Sequence, residues 1–250
     1  MSMMLLTGAG KARNAVQFDP ASVSTLLAGF STRLSSLFQA SNGTTPATAG
    51  DDPVAYASDL SGNNRHFTQP DDTGRRPLLK LNQINGFPAL RFDGTNDVIY
   101  NNNWVTVAPG VLFVVCKQIT WALAGRITSG GDNTSHCVIN QYNTAQPNLS
   151  IYAGSAFVAE NNGLALGSWG ILEVLFNGAS SEFQVNGGTA TTGNPGANFV
   201  TDGVAAGGGS TGSLCANVDV AEVLVYDGLS AGERTTVREG LSNVFDIALA

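Results

Sequence analysis

NVDVAEVLVYDGLSAGERTTVREGLSNVFDI, Asn217 to Ile247, is the stretch whose reading decides the fold. From Val218 to Tyr226 every residue except Asp219, Ala221 and Glu222 is β-branched, aromatic or leucine, the composition of a pleated, packed strand. Asp227-Gly228 closes that strand with turn residues. Ser230 stands three residues before Glu233. This is a capping box, in which the serine oxygen takes an orphan helix amide and the carboxylate reaches back to the cap. Val237, Leu241, Val244 and Phe245 then recur at helical spacing, so one stripe of the helix packs inward.

Working outward, the rest of the chain is rich in strands and turns. Asn85-Gly86 is a hairpin-type turn, after which Leu90 and Phe92 face one way and Ala89 and Arg91 the other. VLFVVCKQI, Val111 to Ile119, is short and almost wholly apolar, so it reads as a strand buried on both faces. Ile127 to His136 reads as a loop and Cys137 to Tyr142 as a strand. Leu149 to Glu160 gives a further strand or hairpin, and Trp169 to Phe176 another apolar strand. Asn177-Gly178 and Asn186-Gly187 bracket a hairpin containing Ser180 to Val185. Gly193 to Asn217, with glycines at 207 to 209, reads as a flexible connection; no Lys-Ser/Thr follows, so it is not a phosphate-binding loop.

Composition narrows the function. The chain has 250 residues, 43% of them hydrophobic and only 12% charged, with 30 glycines. That is enough apolar material for one large sandwich. A net charge of -7, with Arg75-Arg76 the only adjacent basic pair, argues against a nucleic-acid partner. No apolar run is long enough for a bilayer span, which argues against a membrane partner. The apolar patch Met3 to Leu6 has no basic residues ahead of it, so no export signal is expected. Residues 1–15 read as a flexible N-terminal arm and 16–250 as one domain. Cys116, Cys137 and Cys215 are odd in number and far apart, so no internal disulfide framework is expected. Cys116 lies in the most apolar strand, and Cys137 and Cys215, beside loops, are the more exposed pair.

Catalytic patterns are sparse. A glycosidase needs two positioned carboxylates. The strand pattern Glu-x-Asp-x-Glu is absent. Asp219 and Glu222 are three residues apart, which puts them on opposite faces of a regular strand. Glu222 reads as a half-buried carboxylate satisfied by backbone or an arginine, and Glu173 and Glu182 are isolated. His66 and His136 are the only histidines, and neither a G-x-S-x-G nor an H-E-x-x-H motif occurs. Asp59 reads as a cap on the turn Ser61-Gly62-Asn63-Asn64, and His66 as structural. Asp93, Asn96 and Asp97 cluster oxygens that raise calcium as a candidate, but the spacing is not that of an EF-hand and these are ordinary turn residues. No catalytic, cofactor-binding or metal-binding residue is therefore assigned, and no cofactor is expected. Trp104, Trp121 and Tyr142 are the aromatic candidates for a sugar-binding surface, with a core role as the competing reading.

Three stretches carry a family resemblance. They are the terminal AEVLVYD…LS…ER; the run Ser36-Leu37-Phe38-Gln39, Gly43-Thr44-Thr45-Pro46, Asp52-Pro53-Val54 and Asp59-Leu60-Ser61-Gly62-Asn63; and NG-x-PALRFDG-x-ND from Asn85 to Asp97. Together they resemble the laminin-G-like, concanavalin A-like jelly-roll domains found in secreted proteins and in phage virion proteins. The position where relatives carry tryptophan before Asp59 holds Tyr56 or Ala57 here. The resemblance implies an all-β fold, a two-sheet antiparallel jelly-roll sandwich with one C-terminal helix. It also implies a non-enzymatic virion structural module: capsid decoration, fibre attachment or adhesion. Such a module would be a homo-oligomer partnered by other virion subunits and host surface glycans, assembled in the host cytoplasm. A glycan-binding lectin-like domain is the alternative, and a polysaccharide hydrolase or lyase the third reading.

Overall fold

The computed structural model describes residues 18–23, 25–70, 73–131, 136–142, 147–156, 158–161 and 164–250. The expected arm, residues 1–15, lies outside the described residues. In chain order the strands are β1 (Leu26–Ser31), β2 (Leu37–Phe38), β3 (Tyr56–Ala57), β4 (Phe67–Thr68), β5 (Leu78–Ile84), β6 (Phe87–Asp93), β7 (Ile99–Tyr100), β8 (Gly110–Gln118) and β9 (Arg126–Gly130). They continue with β10 (Val138–Gln141), β11 (Leu149–Tyr152), β12 (Val158–Asn161), β13 (Trp169–Phe176), β14 (Ser181–Val185), β15 (Thr191–Gly193), β16 (Val204–Ala206) and β17 (Asn217–Asp227), and the helix α1 spans Ala231–Phe245. One sheet runs β15-β14-β13-β8-β17-β6-β5 with β1 also paired to β17, and the other runs β12-β11-β10-β9-β16-β7-β4-β3-β2. The result is the expected two-sheet antiparallel sandwich with a single C-terminal helix.

β17 organises the first sheet. It pairs with β8 along its length, with β6 over Asn217–Val220 and with β1 over Glu222–Tyr226. The register slips between Val220 and Glu222, where the partner on one side changes from β6 to β1. An extra residue at that point inverts the alternation of everything after it. Val218 and Val220 before the bulge, and Val223 and Val225 after it, all enter the core between the sheets. Ala221, Leu224 and Tyr226 instead join a second apolar cluster on the outer face of the sheet.

The helix covers that second cluster. Val237, Leu241, Val244 and Phe245 are buried against Val111, Phe113 and Val115 of β8. The opposite residues of β8, Leu112, Val114 and Cys116, face the other sheet, so the strand is buried on both sides as its composition predicts. The capping box forms: Glu233 N donates to Ser230 Oγ at 3.3 Å and Ser230 N donates to Glu233 Oε2 at 2.8 Å. Asp246, in the left-handed region at φ 55°, ends the helix.

The structure corrects three readings. Ile127 to Gly130, inside the expected loop, belong to β9, which pairs with β10 and β16. Gly193 to Asn217 is no mere flexible connection, because Val204–Ala206 is the fully buried strand β16 between β9 and β7. Its glycines serve close packing: Gly207 sits at φ 91°, and a Cβ there would come within 2.0 Å of the Phe92 ring. Finally, Cys137 and Cys215 are buried free thiols like Cys116, not an exposed pair. Burial raises the pKa of all three, that of Cys215 to about 11 with a further push from Asp93 and Asp97.

Candidate functional site

The turn after β3 is built around one carboxylate. Asp59 Oδ1 accepts from Gly29 N at 3.0 Å and Ser61 N at 3.1 Å. Asp59 Oδ2 accepts from Ser61 Oγ at 2.6 Å and Arg65 N at 3.0 Å. Gly62 at φ 78° and Asn64 at φ 59° make the reversal that the sequence predicts. Asp59 is thus the structural cap that its position suggests. His66 closes the ring, its Nδ1 accepting from Asp59 N at 3.0 Å. That bond assigns the proton of the neutral imidazole to Nε2.

A second segment packs beside this turn. β7 pairs with β4, and residues 101–104 follow it directly. The buried Asn101 ties the two segments together. Its Nδ2 donates to Arg65 O at 3.1 Å, while its Oδ1 accepts from Trp104 Nε1 and Val204 N, both at 2.8 Å. Gly203, at φ 71°, lies so close that a Cβ would sit 2.1 Å from Asn101 O. The Arg65 guanidinium lies over the Trp104 ring, 4.1 Å from its centroid.

Between the two segments is an open cleft of about 520 Å³. Tyr56, His66, Thr68, Arg65 and Trp104 line it, with Asn63, Asn64, Asn102 and Asn103 exposed at its rim. Tyr56 and His66 stack in a tilted pair at 4.9 Å, and Phe38 meets Tyr56 edge-on at 5.5 Å. Tyr56 is opposite Thr68, which is opposite Tyr100; their chain neighbours Ala57, Phe67 and Ile99 are buried in the core. The aromatic row therefore lies on the outer face of the second sheet. Burial, and then the negative charge of Asp59, raises the pKa of Tyr56, so its hydroxyl stays protonated. Among the described residues, no carboxylate lines the cleft. The cleft offers flat ring faces beside hydroxyl, amide, imidazole and guanidinium donors, a chemistry suited to holding a polyol.

Of the aromatic candidates, Trp104 lines the cleft and Trp121 and Tyr142 do not. Tyr56 and Arg65 are missed by sequence reasoning. The signal available was the departure at Tyr56, an aromatic next to the Asp59 turn. His136 is buried elsewhere, with Nε2 at 3.1 Å from Gly203 O and Nδ1 at 2.6 Å from Thr201 Oγ1. The Asp93 and Asp97 carboxylates are turned onto loop amides, Asp93 accepting from Thr95 N at 2.7 Å and Asp97 from Asp93 N at 3.0 Å. Among the described residues, no group of three or more His, Cys, Asp and Glu is placed to hold a metal ion.

The remaining acids lie on the other side of the sandwich. The bulge in β17 places Asp219 and Glu222 on the same outer face, not on opposite faces as their spacing predicts. Asp219 bonds Arg91 at 2.7 Å and Lys117 at 2.8 Å. Glu222 meets Arg33 at 3.3 Å and accepts from Ser31 Oγ at 2.8 Å, the arginine-satisfied state that the sequence suggests. Burial pushes the Glu222 pKa up to about 7 against the opposing pull of Arg33 and Ser31. Glu173 is not isolated: Arg238 and Arg234 of α1 reach it at 2.6 and 3.4 Å. Burial still leaves its pKa raised, against the pull of Arg238 and Arg234.

No family model matches the chain, and no curated protein matches its sequence. Solved structures do match its fold. An arabinofuranosidase complexed with arabinofuranosyl-α-1,2-xylobiose superposes with a TM-score of 0.63 at 16% identity, over 91% of this chain and 65% of that one. Domain 4 of an extracellular GH43 arabinanase from Geobacillus stearothermophilus, in complex with arabinotriose, gives 0.57 at 15% identity, over 86% of this chain and 98% of that one. A Trypanosoma rangeli sialidase gives 0.54 at 10% identity, over 90% of this chain but only 34% of its own. The chain thus spans less than two thirds of the arabinofuranosidase and about a third of the sialidase. At such identities the likeness establishes the fold. Two expectations, the virion structural module and the absence of enzymatic activity, are withdrawn on this finding: these three structures are an arabinofuranosidase, a domain of an arabinanase and a sialidase. The physical reason is that the matched sequence stretches are turns and packed strands. They specify a scaffold that many sites share, and they do not specify the site.

Proposed function

We propose that the chain is carbohydrate-active and holds a sugar in the cleft between Tyr56 and Trp104. The observation that carries this reading is the pairing of aromatic rings with polar donors in one open cleft: the half-buried Tyr56 and His66 in a tilted pair at 4.9 Å, Asn-rich rims and, among the described residues, no carboxylate in the lining. Sugars present C–H faces to aromatic rings and hydroxyls to amides, so this mixture suits them better than it suits an apolar ligand. The arabinotriose held by the arabinanase domain, matched over nearly its whole length, supports the same reading.

Calorimetric titration with arabinotriose, arabinofuranosyl-xylobiose and a panel of plant and microbial oligosaccharides tests it. Saturable binding is expected for at least one ligand, with amide shifts confined to residues 56–68 and 101–104. Tyr56→Ala is expected to weaken that binding about tenfold, or about 1.4 kcal/mol. Binding that Tyr56→Ala leaves unchanged, or no binding across the panel, rejects the cleft as the site. The same mixtures, read for new reducing ends, report turnover directly.

A further inference from the structure

We infer that the cleft selects sugars carrying a carboxylate, uronic or sialic, over neutral ones, with Arg65 as the group that takes the carboxylate. This rests on the cleft being the sugar site. Among the described residues, Arg65 is the only side chain with a permanent charge in the lining. Its Nη1 donates to Leu27 O at 3.0 Å, and among the described residues the guanidinium makes no other hydrogen bond. Most of its fork of N–H donors is left for a ligand. Stacking on Trp104 at 4.1 Å holds the guanidinium plane in place. A pre-oriented planar fork suits a carboxylate, which takes two parallel N–H bonds at once.

The surroundings leave Arg65 as the local cation for that partner. Two carboxylates that bond to the backbone of cleft residues are already occupied. Asp59 accepts from the Gly29 amide of β1 and from the amides and hydroxyl of its own turn, and Asp202 accepts from the backbone N–H of Asn103. Neither lines the cleft. The chain as a whole carries a net charge of -7, so an anion is repelled at long range and must gain its affinity from a local cation. Tyr56 and His66 supply a ring platform beside that cation for the sugar body.

Two matched ligand pairs test the inference: trigalacturonate against its full methyl ester, and sialyllactose against its methyl ester. Each pair keeps the platform-binding sugar and differs in the carboxylate, and comparing the pairs separates uronic from sialic acids. In at least one pair the acid is expected to bind at least tenfold more tightly than its neutral partner, with the gap shrinking as salt rises. Arg65→Gln is expected to abolish the gap, so that the acid and its neutral partner bind alike at whatever affinity the variant retains. Arg65→Lys, which keeps the charge but not the planar fork, is expected to keep only part of it and guards against a variant that fails to fold. Equal binding within both pairs, or a gap that survives Arg65→Gln, overturns the inference and leaves the sugar site standing. No perturbation of the cleft by any of these ligands or by arabinotriose overturns both.

Discussion

Asp97 is buried beside Asp93, and the two carboxylates respond in opposite directions. For Asp93, the upward push of burial is outweighed by hydrogen bonds from Thr95, Asn96 and Asp97, and its pKa falls. For Asp97, burial and then the Asp93 charge raise the pKa to about 7, with the Asp93 amide opposing. An acid whose folded pKa lies above its unfolded value of about 4 binds its proton more tightly when folded. Its contribution to stability is complete below pH ~4 and is lost as the pH rises through about 7. Asp97→Asn should therefore be less sensitive to pH than the parent between pH 5 and 8. Thermal melts should show the parent falling relative to the variant by a few degrees, since about 1 kcal/mol moves a chain of this size by roughly 2–4 °C. Parallel curves would show that Asp97 does not titrate in this window. Glu222 acts in the same window with the same sign. In sequence, Asp93, Asn96 and Asp97 are legible only as a turn with a calcium alternative. The inward orientation that shifts Asp97 is set by strands that lie elsewhere in the chain.

The closing helix and the glycine-rich segment before β17 show what is legible at the scale of an element. Leu241 is fully buried, so Leu241→Ala should cost about 2–5 kcal/mol in denaturant melts. Ser230→Ala removes one half of the capping box and should cost about 0.5–2 kcal/mol. These interactions lie within a few turns of one helix, which is why the sequence displays them. Gly207→Ala is a sharper test of the corrected segment. With φ at 91° and the Phe92 ring 2.0 Å from the new Cβ, it should cost on the order of 1–3 kcal/mol. A flexible connection would tolerate the methyl group, so an unchanged melting point would contradict the packed arrangement. The segment reads as a loop because β16 is only Val204–Ala206 among glycines, and its strand character comes from β7 and β9 on either side.

At the scale of the molecule, the helix is part of the sandwich. Truncation at Asp227 would uncover Val111, Phe113, Val115 and Leu224 and strip Glu173 of both Arg234 and Arg238. An exposed apolar face next to an unpaired, formerly buried carboxylate predicts loss of the cooperative melt and association through that face. Size-exclusion chromatography and a thermal scan of the truncated chain measure both. A monomer melting at the parent temperature would show the helix to be dispensable.

The sequence by itself determined the turns, the packed strands, the capped helix and hence the two-sheet sandwich. Asn-Gly pairs, alternation and a capping box act between residues a few positions apart, where the chain itself fixes distance and direction. The tertiary structure alone decided the site. Tyr56 to Thr68 and Asn101 to Trp104 face one another only because β3, β4 and β7 are neighbours in the second sheet and Asn101 bonds across to Arg65. It alone also decided where the acids point. Counting along β17 separates Asp219 from Glu222, whereas one extra residue at Ala221 brings both onto the outer face. Alternation carries side-chain direction along a strand only as far as the first bulge, and partner strands far away in the sequence set the position of that bulge.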